Sequence, residues 1–247
     1  MDTPRPIGRN VHGSFCKGRL NTGMDNRIFI NPSILNANFD DLEGEIDRVA
    51  KHSDQLHLDI MDNKFVPNFT FDFKRALEII AFSKLPVDAH LMIEDVDVLG
   101  PKYAENGCDS VTIHFEAARN VKQTISNIKS NGSKAGLAIK PGTEFSQVEE
   151  YIDELDLLLI MTVEPGFGGQ SFMTDQMEKV SQARAFINKG KAFPLLQVDG
   201  GISESTIETA ASAGANCFVA GSAVYKSPDP AETIVKLRSL ASNSFRG

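Results

Sequence analysis

The stretch Gln55-Leu-His-Leu-Asp-Ile-Met61 decides the fold class of this chain. Successive side chains of a β-strand point to opposite faces, so His57 and Asp59 share one face. Leu58 and Ile60 share the other face. Burying a histidine and an aspartate is costly unless they pair with each other or bind a metal ion. The stretch therefore predicts a strand that packs against helices on one side and carries polar chemistry on the other.

Short apolar runs recur along the chain from residue 28 onward and alternate with amphipathic segments. Eight such units in 247 residues predict a (β/α)8 barrel, a fold of about 250 residues. A doubly wound sheet is the alternative, but its glycine-rich turn follows the first strand. The glycines of this chain instead cluster after the last three predicted strands. The predicted strands are residues 28–35, 55–61, 86–92, 109–115, 134–139, 156–163, 194–199 and 216–220.

The segments between these runs carry helix signals. Apolar residues at helical spacing predict one helix over 39–49 and another over 121–128, and Gly132 follows the second at a typical C-terminal position. A later helix is predicted to be capped by Ser203 and to end before Gly214.

Composition restricts the class of protein further. Hydrophobic residues make up 41% and charged residues 23% of the chain, as in soluble globular proteins. No apolar run approaches the roughly 18 residues of a membrane span. The net charge of −8 argues against a nucleic-acid partner but permits one small phosphorylated ligand held by backbone N–H groups. Cys16, Cys108 and Cys217 lack metal-ligand or redox spacing, so we expect a reducing, cytoplasmic environment.

Residues 1–24 differ from the rest of the chain, because apolar residues are sparse and basic residues dominate. We expect a disordered N-terminal extension over 1–24 and a barrel catalytic domain over 25–247. A plain tail, or translation from Met24, is favoured over an organelle transit peptide. The basic residues of the extension are Arg5, Arg9, Lys17 and Arg19.

Polar side chains gather at the carboxyl ends of the predicted strands, where barrel enzymes build their active sites. Two imidazoles and two carboxylates suit a divalent transition metal. His114 and Glu116 are predicted near the same rim, with a purely structural role for His114 left open. Asp88 is a possible further ligand, whereas Asp62 is interpreted as a loop or capping residue. The predicted ligands are His57, Asp59, His90 and Asp199.

Glycines follow three successive strands and predict a phosphate cradle, because they allow backbone N–H groups to approach an anion. The loop 166–172 is also predicted to close as a lid. Methionines near three strand ends are interpreted as an apolar wall beside the reacting carbon. The glycine segments contain Gly166, Gly168, Gly169, Gly200, Gly201 and Gly221, and the wall consists of Met61, Met92 and Met161.

Seven stretches between residues 28 and 222 resemble the ribulose-phosphate 3-epimerase family, in the family's order. The resemblance implies a TIM barrel of the ribulose-phosphate binding type. It also implies an isomerase of the pentose phosphate pathway that interconverts D-ribulose 5-phosphate and D-xylulose 5-phosphate. The stretches are Asn31-Pro-Ser-Ile-Leu35, His57-Leu-Asp-Ile-Met-Asp62, Phe65-Val-Pro-Asn68, Asp88-Ala-His-Leu-Met92, Pro165-Gly-Phe-Gly-Gly-Gln170, Gln197-Val-Asp-Gly-Gly201 and Val219-Ala-Gly-Ser222.

The same resemblance implies roles for individual residues. Asp59 and Asp199 correspond to an acid/base pair that moves the C3 proton through a metal-stabilised enediolate, and the four predicted ligands correspond to the family's metal site. Zn²⁺ or Fe²⁺ is preferred as the ion, with Mn²⁺ or Co²⁺ as alternatives. A phosphosugar substrate and a homo-oligomer are expected. The corresponding substrate contacts are Ser33, His90, Gly166, Phe167, Gly168, Gly169, Gly200, Gly201, Gly221 and Ser222.

Four positions depart from the family pattern. Asn63 and Lys64 stand where the family usually has Gly and His, Asn36 where it often has Ser, and Lys140 where it often has Asn. An epimerase for a six-carbon ketose phosphate therefore stays open as an alternative.

Two further alternatives are less favoured. A decarboxylase of the related barrels would carry Asp-x-Lys-x-x-Asp, but Met61 and Lys64 occupy the last two positions counted from Asp59. A non-catalytic phosphosugar sensor would not need both histidines and both aspartates.

Overall fold

A computed structural model describes residues 27–247. The predicted extension 1–24 lies outside these described residues. Eight strands alternate along the chain with helical segments. The strands are β1 (Phe29–Pro32), β2 (Leu56–Met61), β3 (Val87–Met92), β4 (Ser110–His114), β5 (Lys134–Ile139), β6 (Leu157–Met161), β7 (Leu195–Asp199) and β8 (Cys217–Ala220).

The eight strands form one parallel sheet in the order β1-β8-β7-β6-β5-β4-β3-β2. An isolated parallel bridge between Ser33 and His57 joins its two edges, β1 and β2. The result is a nearly closed barrel, which confirms the predicted fold. Each strand lies within its predicted range, and the surplus predicted residues flank the strands, with Ile34 and Leu35 in a 3-10 turn.

Helices cover the outside of the barrel. Gly132 follows the helix Val121–Ser130 with a φ of +94°, as its position predicted. The connection from β5 to β6 differs from the expected unit, because it contains the 3-10 segments Phe145–Gln147 and Glu149–Glu154 in place of an α-helix. The α-helices are α1 (Leu42–Ala50), α2 (Phe73–Phe82), α3 (Val96–Glu105), α4 (Val121–Ser130), α5 (Met177–Ile187), α6 (Ile207–Ser212), α7 (Ser222–Tyr225) and α8 (Pro230–Ser244).

The predicted cap of α6 is wrong. The N-cap residue is Thr206, and α6 begins at Ile207. The Ser203 hydroxyl instead contacts the hydroxyls of Ser205 and Thr206, within a turn that precedes the helix. This turn delays the start of the helix by three residues. The helix does end before Gly214, as predicted.

The barrel interior is divided between polar and apolar side chains. Leu58 and Ile60 face outward into the main core, as the alternation in β2 predicts. Along β5 and β6 the inner cluster is apolar and includes Leu157 and Leu159. Buried polar residues from β1 to β4 and from β7, such as Gln197, need hydrogen-bond partners to offset the loss of water. The histidines and aspartates that the sequence predicts as metal ligands lie in this polar part.

Among residues 27–247, the structure contains no helix of the length and apolarity that crossing a membrane requires.

Candidate active site and metal centre

A cleft opens at the carboxyl ends of the strands, and most of the predicted site residues line it. His57 and His90 do not line the cleft; both are fully buried beneath it. The predicted residues that line the cleft are Ser33, Asp59, Met61, Met92, Met161, Gly166, Phe167, Gly168, Gly169, Asp199, Gly200, Gly201, Gly221 and Ser222. The tertiary structure therefore brings together residues from both ends of the chain.

Asn36 is a cleft residue that the sequence singled out only as a departure from the family pattern. It ends the 3-10 turn Ile34–Asn36 after β1, and its Oδ1 lies beside both Gly168 and Gly221. A Cβ atom on Gly168 would approach Asn36 Oδ1 to 2.7 Å, and one on Gly221 would approach it to 2.6 Å. This amide thus lies between two of the three glycine segments. Its only signal in the sequence was its departure from the family's usual Ser.

Four side chains from β2, β3 and β7 bring their ligand atoms together. His57 Nε2 lies 3.3 Å from His90 Nδ1. Asp59 Oδ1 lies 3.4 Å from His57 Nε2 and 3.1 Å from His90 Nδ1. Asp199 Oδ2 lies 3.8 Å and 3.7 Å from the same two nitrogens. All four atoms lie within 4.8 Å of one another.

This group fits a divalent metal ion. Zinc binds imidazole and carboxylate ligands at about 2.0–2.2 Å in tetrahedral geometry, which places neighbouring ligand atoms about 3.3–3.6 Å apart. The nitrogen–oxygen and nitrogen–nitrogen distances in the group, from 3.1 to 3.8 Å, bracket that value. Imidazole and carboxylate donors also suit the divalent first-row transition metals. The residues present can therefore hold one such ion.

The charge of the group also favours a cation. Burial lowers the pKa of His57, but the carboxylates of Asp59 and Asp88 outweigh burial and raise this pKa well above its usual value. Burial and the neighbouring Asp59 carboxylate raise the pKa of Asp199 to about 6. Both shifts show an enclosed excess of negative charge, which a positive ion would relieve.

Ser33 and Asp88 orient Asp59 and His57, the two predicted ligands from β2. The Ser33 hydroxyl donates a 2.6 Å hydrogen bond to Asp59 Oδ2, which leaves Oδ1 facing the histidines. His57 Nδ1 lies 2.9 Å from Asp88 Oδ2, so its Nε2 faces the ligand group. Asp88, a possible ligand from the sequence, lies behind His57 and outside the group. The register of β2 and β3 pairs His57 with Asp88 and Asp59 with His90. This register explains why Asp88 lies beside His57 whereas His90 lies beside Asp59.

Asp62 is a loop residue, as predicted. Its carboxylate accepts hydrogen bonds from the backbone N–H groups of Lys64, Phe65 and Glu94. Asn63, within this loop, adopts a φ of +57°. Asparagine tolerates this left-handed conformation better than most residues, so Asn63 suits the backbone of this loop.

The glycines after β7 have backbone conformations that other residues rarely adopt. Gly200 has a φ of +124° and Gly201 a φ of +66°. A Cβ atom on Gly201 would approach the backbone nitrogen of Phe172 to 2.5 Å, so the residue also permits a close approach of two loops. Backbone of this kind can present N–H groups to an anion.

His114 and Glu116 lie behind His90, on the side away from the ligand group. Burial lowers the pKa of His114 to about 4, so this imidazole is neutral at physiological pH. Burial acts to raise the pKa of Glu116, but hydrogen bonds from His114, Thr143 and Lys140 lower it to about 2. A neutral imidazole is thus held between His90 and a charged carboxylate.

The fold and the site define a (β/α)8 barrel enzyme whose active site lies at the carboxyl ends of the strands, with a histidine–aspartate group able to hold a metal ion. Comparison with known proteins makes the assignment more specific. Residues 29–225 match the model of the ribulose-phosphate 3-epimerase family, and the chain belongs to this family. It is therefore an enzyme of that kind.

Named relatives agree with this assignment. The chain is 45% identical over 212 residues to the ribulose-phosphate 3-epimerase of Mycobacterium leprae, covering 86% of this chain and 94% of that protein. It is 41% identical over 213 residues to the ribulose-phosphate 3-epimerase of Bacillus subtilis, covering 85% and 98%.

Solved structures of lower identity share the fold. The 3-hexulose-6-phosphate synthase of Salmonella typhimurium aligns with a TM-score of 0.62 and 18% identity, over 88% of this chain and 100% of that one. KGPDC from Streptococcus mutans, in complex with D-R5P, aligns with a TM-score of 0.66 and 12% identity, over 90% and 100%. At this identity the likeness concerns architecture alone.

Proposed function

We propose that this enzyme interconverts D-ribulose 5-phosphate and D-xylulose 5-phosphate by moving a proton at C3. The observation that carries the proposal is the pair of carboxylates Asp59 and Asp199, which belong to different strands and line one cleft. Epimerisation requires a proton to leave one face of a carbon and return to the other, so one acid/base group must stand on each side.

The surroundings of the two aspartates suit opposite roles. Burial acts to raise the pKa of Asp59, but His57 and His90 outweigh it and hold this pKa well below its usual value. The pKa of Asp199 is raised. Environments that push two such pKa values apart prepare one carboxylate as base and the other as acid. Asp59 takes the C3 proton, the electron pair moves toward the C2 oxygen to leave an enediolate, and Asp199 protonates C3 from the other face. The reverse reaction exchanges the roles.

The remaining site residues would bind and orient the substrate. Backbone N–H groups of the glycine segments would hold the phosphate, Ser33 would hold the sugar, and the three methionines would exclude water from C3. His90, expected from the resemblance to contact the substrate, lies beneath the cleft and would serve as a metal ligand only. His57, Asp59, His90 and Asp199 would hold one divalent ion, with Zn²⁺ or Fe²⁺ preferred over Mn²⁺ or Co²⁺. When bound, the ion supplies Lewis-acid stabilisation of negative charge on the substrate oxygens. The proposed phosphate contacts are Gly166, Phe167, Gly168, Gly169, Gly200, Gly201, Gly221 and Ser222.

The proposal extends to the whole chain. We assign catalysis to a single domain over 25–247, acting on a small phosphosugar in the cytoplasm as a homo-oligomer, without nucleic-acid or membrane partners. Within residues 27–247 the buried thiols of Cys108 and Cys217 form no disulfide, which supports the proposal of a reducing compartment.

A coupled assay on D-ribulose 5-phosphate tests the function. The metal-free protein is assayed first, and Zn²⁺, Fe²⁺, Mn²⁺ or Co²⁺ is then added back separately. We expect activity to disappear on chelation and to return with at least one ion. A folded, metal-binding protein without activity on this substrate would reject the five-carbon assignment, and six-carbon ketose phosphates would then be assayed with attention to Asn63 and Lys64.

A further inference from the structure

A second histidine–carboxylate pair continues from the ligand group into the barrel wall. His90 Nε2 lies 2.9 Å from His114 Nε2, and His114 Nδ1 lies 3.1 Å from Glu116 Oε2. Both histidines are fully buried. The three side chains form a continuous hydrogen-bonded row that begins on the side of His90 opposite its ligand atom, Nδ1.

Only one arrangement of protons satisfies this row together with a metal ion. An imidazole that binds a metal through Nδ1 carries its proton on Nε2, so His90 donates to His114 Nε2. His114 then carries its own proton on Nδ1 and donates it to Glu116, whose carboxylate can only accept. The opposite arrangement would place a proton on the ligand atom of His90 and turn an unprotonated nitrogen of His114 toward a carboxylate.

The row is fixed at its far end. Glu116 Oε1 accepts hydrogen bonds from the backbone N–H of Lys140 at 2.7 Å and from the Thr143 hydroxyl at 2.5 Å. Those bonds leave Oε2 to face His114. Glu116 therefore cannot turn away without breaking two further hydrogen bonds.

Ring contacts also restrain His114. Its ring meets the His90 ring edge to edge, with centroids 5.0 Å apart, and the Phe65 ring lies 4.9 Å away. Lys140 Nζ lies 3.8 Å from the centre of the Phe65 ring. This packing leaves the imidazole little freedom to rotate and keeps its two nitrogens directed at His90 and Glu116.

We propose that His114 and Glu116 are positioning residues that hold His90 in the tautomer whose Nδ1 is free to bind the metal ion. The inference rests on the metal site of the proposed function. His57 is oriented by a carboxylate directly, through Asp88, whereas His90 is oriented through a second imidazole. Outer residues of this kind commonly change metal affinity by about 10–100-fold when they are replaced.

Metal affinity of the purified full chain tests the inference, measured by competition with a chromophoric chelator for Co²⁺. We expect His114→Phe to lower the affinity by about 10–100-fold. His114→Gln should retain more affinity, because its side-chain oxygen can still accept from His90. The matched control is Thr112→Val on the same strand, since the buried Thr112 hydroxyl has no hydrogen-bond partner within residues 27–247. His114→Phe with an affinity within twofold of wild type would overturn the inference.

Glu116→Gln provides a sharper variant. The two donors at Oε1 should retain the new amide oxygen, so the NH2 group would face His114 Nδ1. His114 must then carry its proton on Nε2, which reverses the row and places the proton of His90 on its ligand atom. We expect Co²⁺ affinity to fall as far as in His114→Phe. Unchanged affinity in Glu116→Gln would contradict the proposed proton order.

Nitrogen NMR of the histidine rings in metal-free protein gives a readout independent of metal and activity. The wild type should carry the His114 proton on Nδ1, and Glu116→Gln should carry it on Nε2. A wild-type His114 proton on Nε2 would reject the inference even if every variant folded poorly. If the wild type binds Co²⁺ but does not epimerise the substrate, the proposed reaction is wrong. If the wild type binds no ion, the proposed metal site is wrong. In both cases the histidine tautomer still tests the inference separately.

Discussion

Asp59 and Asp199 are chemically identical side chains, and their neighbours make them different. Asp59 accepts a hydrogen bond from Ser33 and lies within 3.1–3.4 Å of two imidazole nitrogens. Asp199 lies farther from the same nitrogens, and the negative charge of Asp59 repels its carboxylate. The difference in pKa follows from these contacts and supports separate roles as base and acid.

Replacing either aspartate should stop turnover. We expect Asp59→Asn and Asp199→Asn each to lower kcat by at least about 10²-fold, because general acid–base catalysis contributes roughly 10²–10⁴-fold. The coupled assay measures kcat, metal content is determined alongside, and circular dichroism checks the fold. Asp153→Asn, at an exposed carboxylate, is the matched control and should leave kcat unchanged. Near-normal turnover in either site variant would exclude the two-carboxylate scheme.

The loops at the carboxyl ends of β6, β7 and β8 act together as one element of the site. Gly201 in the β7 loop lies against the backbone of Phe172 in the β6 loop, and Asn36 lies between Gly168 and Gly221. The proposed phosphate site therefore depends on how three loops pack against one another.

Gly201→Ala should disturb both this packing and phosphate binding. A side chain at a φ of +66° and 2.5 Å from Phe172 N must strain the backbone, at a cost of about 1–3 kcal/mol in the free energy of unfolding. Urea denaturation measures this cost, and competitive inhibition by inorganic phosphate measures binding. Gly142→Ala is the control, because nothing lies within 4 Å of its added Cβ. Wild-type inhibition by phosphate in Gly201→Ala would argue against the cradle.

At the scale of the whole molecule, the proposed metal site depends on barrel closure. Its ligands come from β2, β3 and β7, and the edge between β1 and β2 is joined by the Ser33–His57 bridge. These ligands are far apart in the unfolded chain, so an ion should bind the native state preferentially.

Metal binding should therefore stabilise the fold. At a free-ion concentration 100-fold above Kd, the free energy of unfolding should rise by about 2.7 kcal/mol. Calorimetry of the full chain with chelator and then with Zn²⁺ measures the change as a shift in Tm. His57→Ala, which removes one ligand, should show a much smaller shift. An equal Tm with and without Zn²⁺ in the wild type would show that the group does not bind the ion in the native state.

Local patterns predicted the strands and the inward direction of the reactive side chains. Alternation in β2 alone places His57 and Asp59 on one face, because side-chain direction in a strand depends only on neighbouring residues. The β7 glycines were also visible in the sequence. The prediction of Ser203 as a cap was wrong. A serine before an apolar segment is typical of an N-cap, but the Ser203 hydroxyl forms hydrogen bonds with the hydroxyls of Ser205 and Thr206 in the turn before the helix.

The sequence by itself determined the order of eight strands, the residue types at their ends and the family, since these depend on local periodicity and short motifs. Only the tertiary structure decided that Asp88 orients His57, that Asn36 lies between two loops, and that His114 forms a hydrogen bond with His90. Each of these contacts joins residues from different strands or loops. Their distances depend on the strand register and on the closure of the barrel, which no local pattern contains.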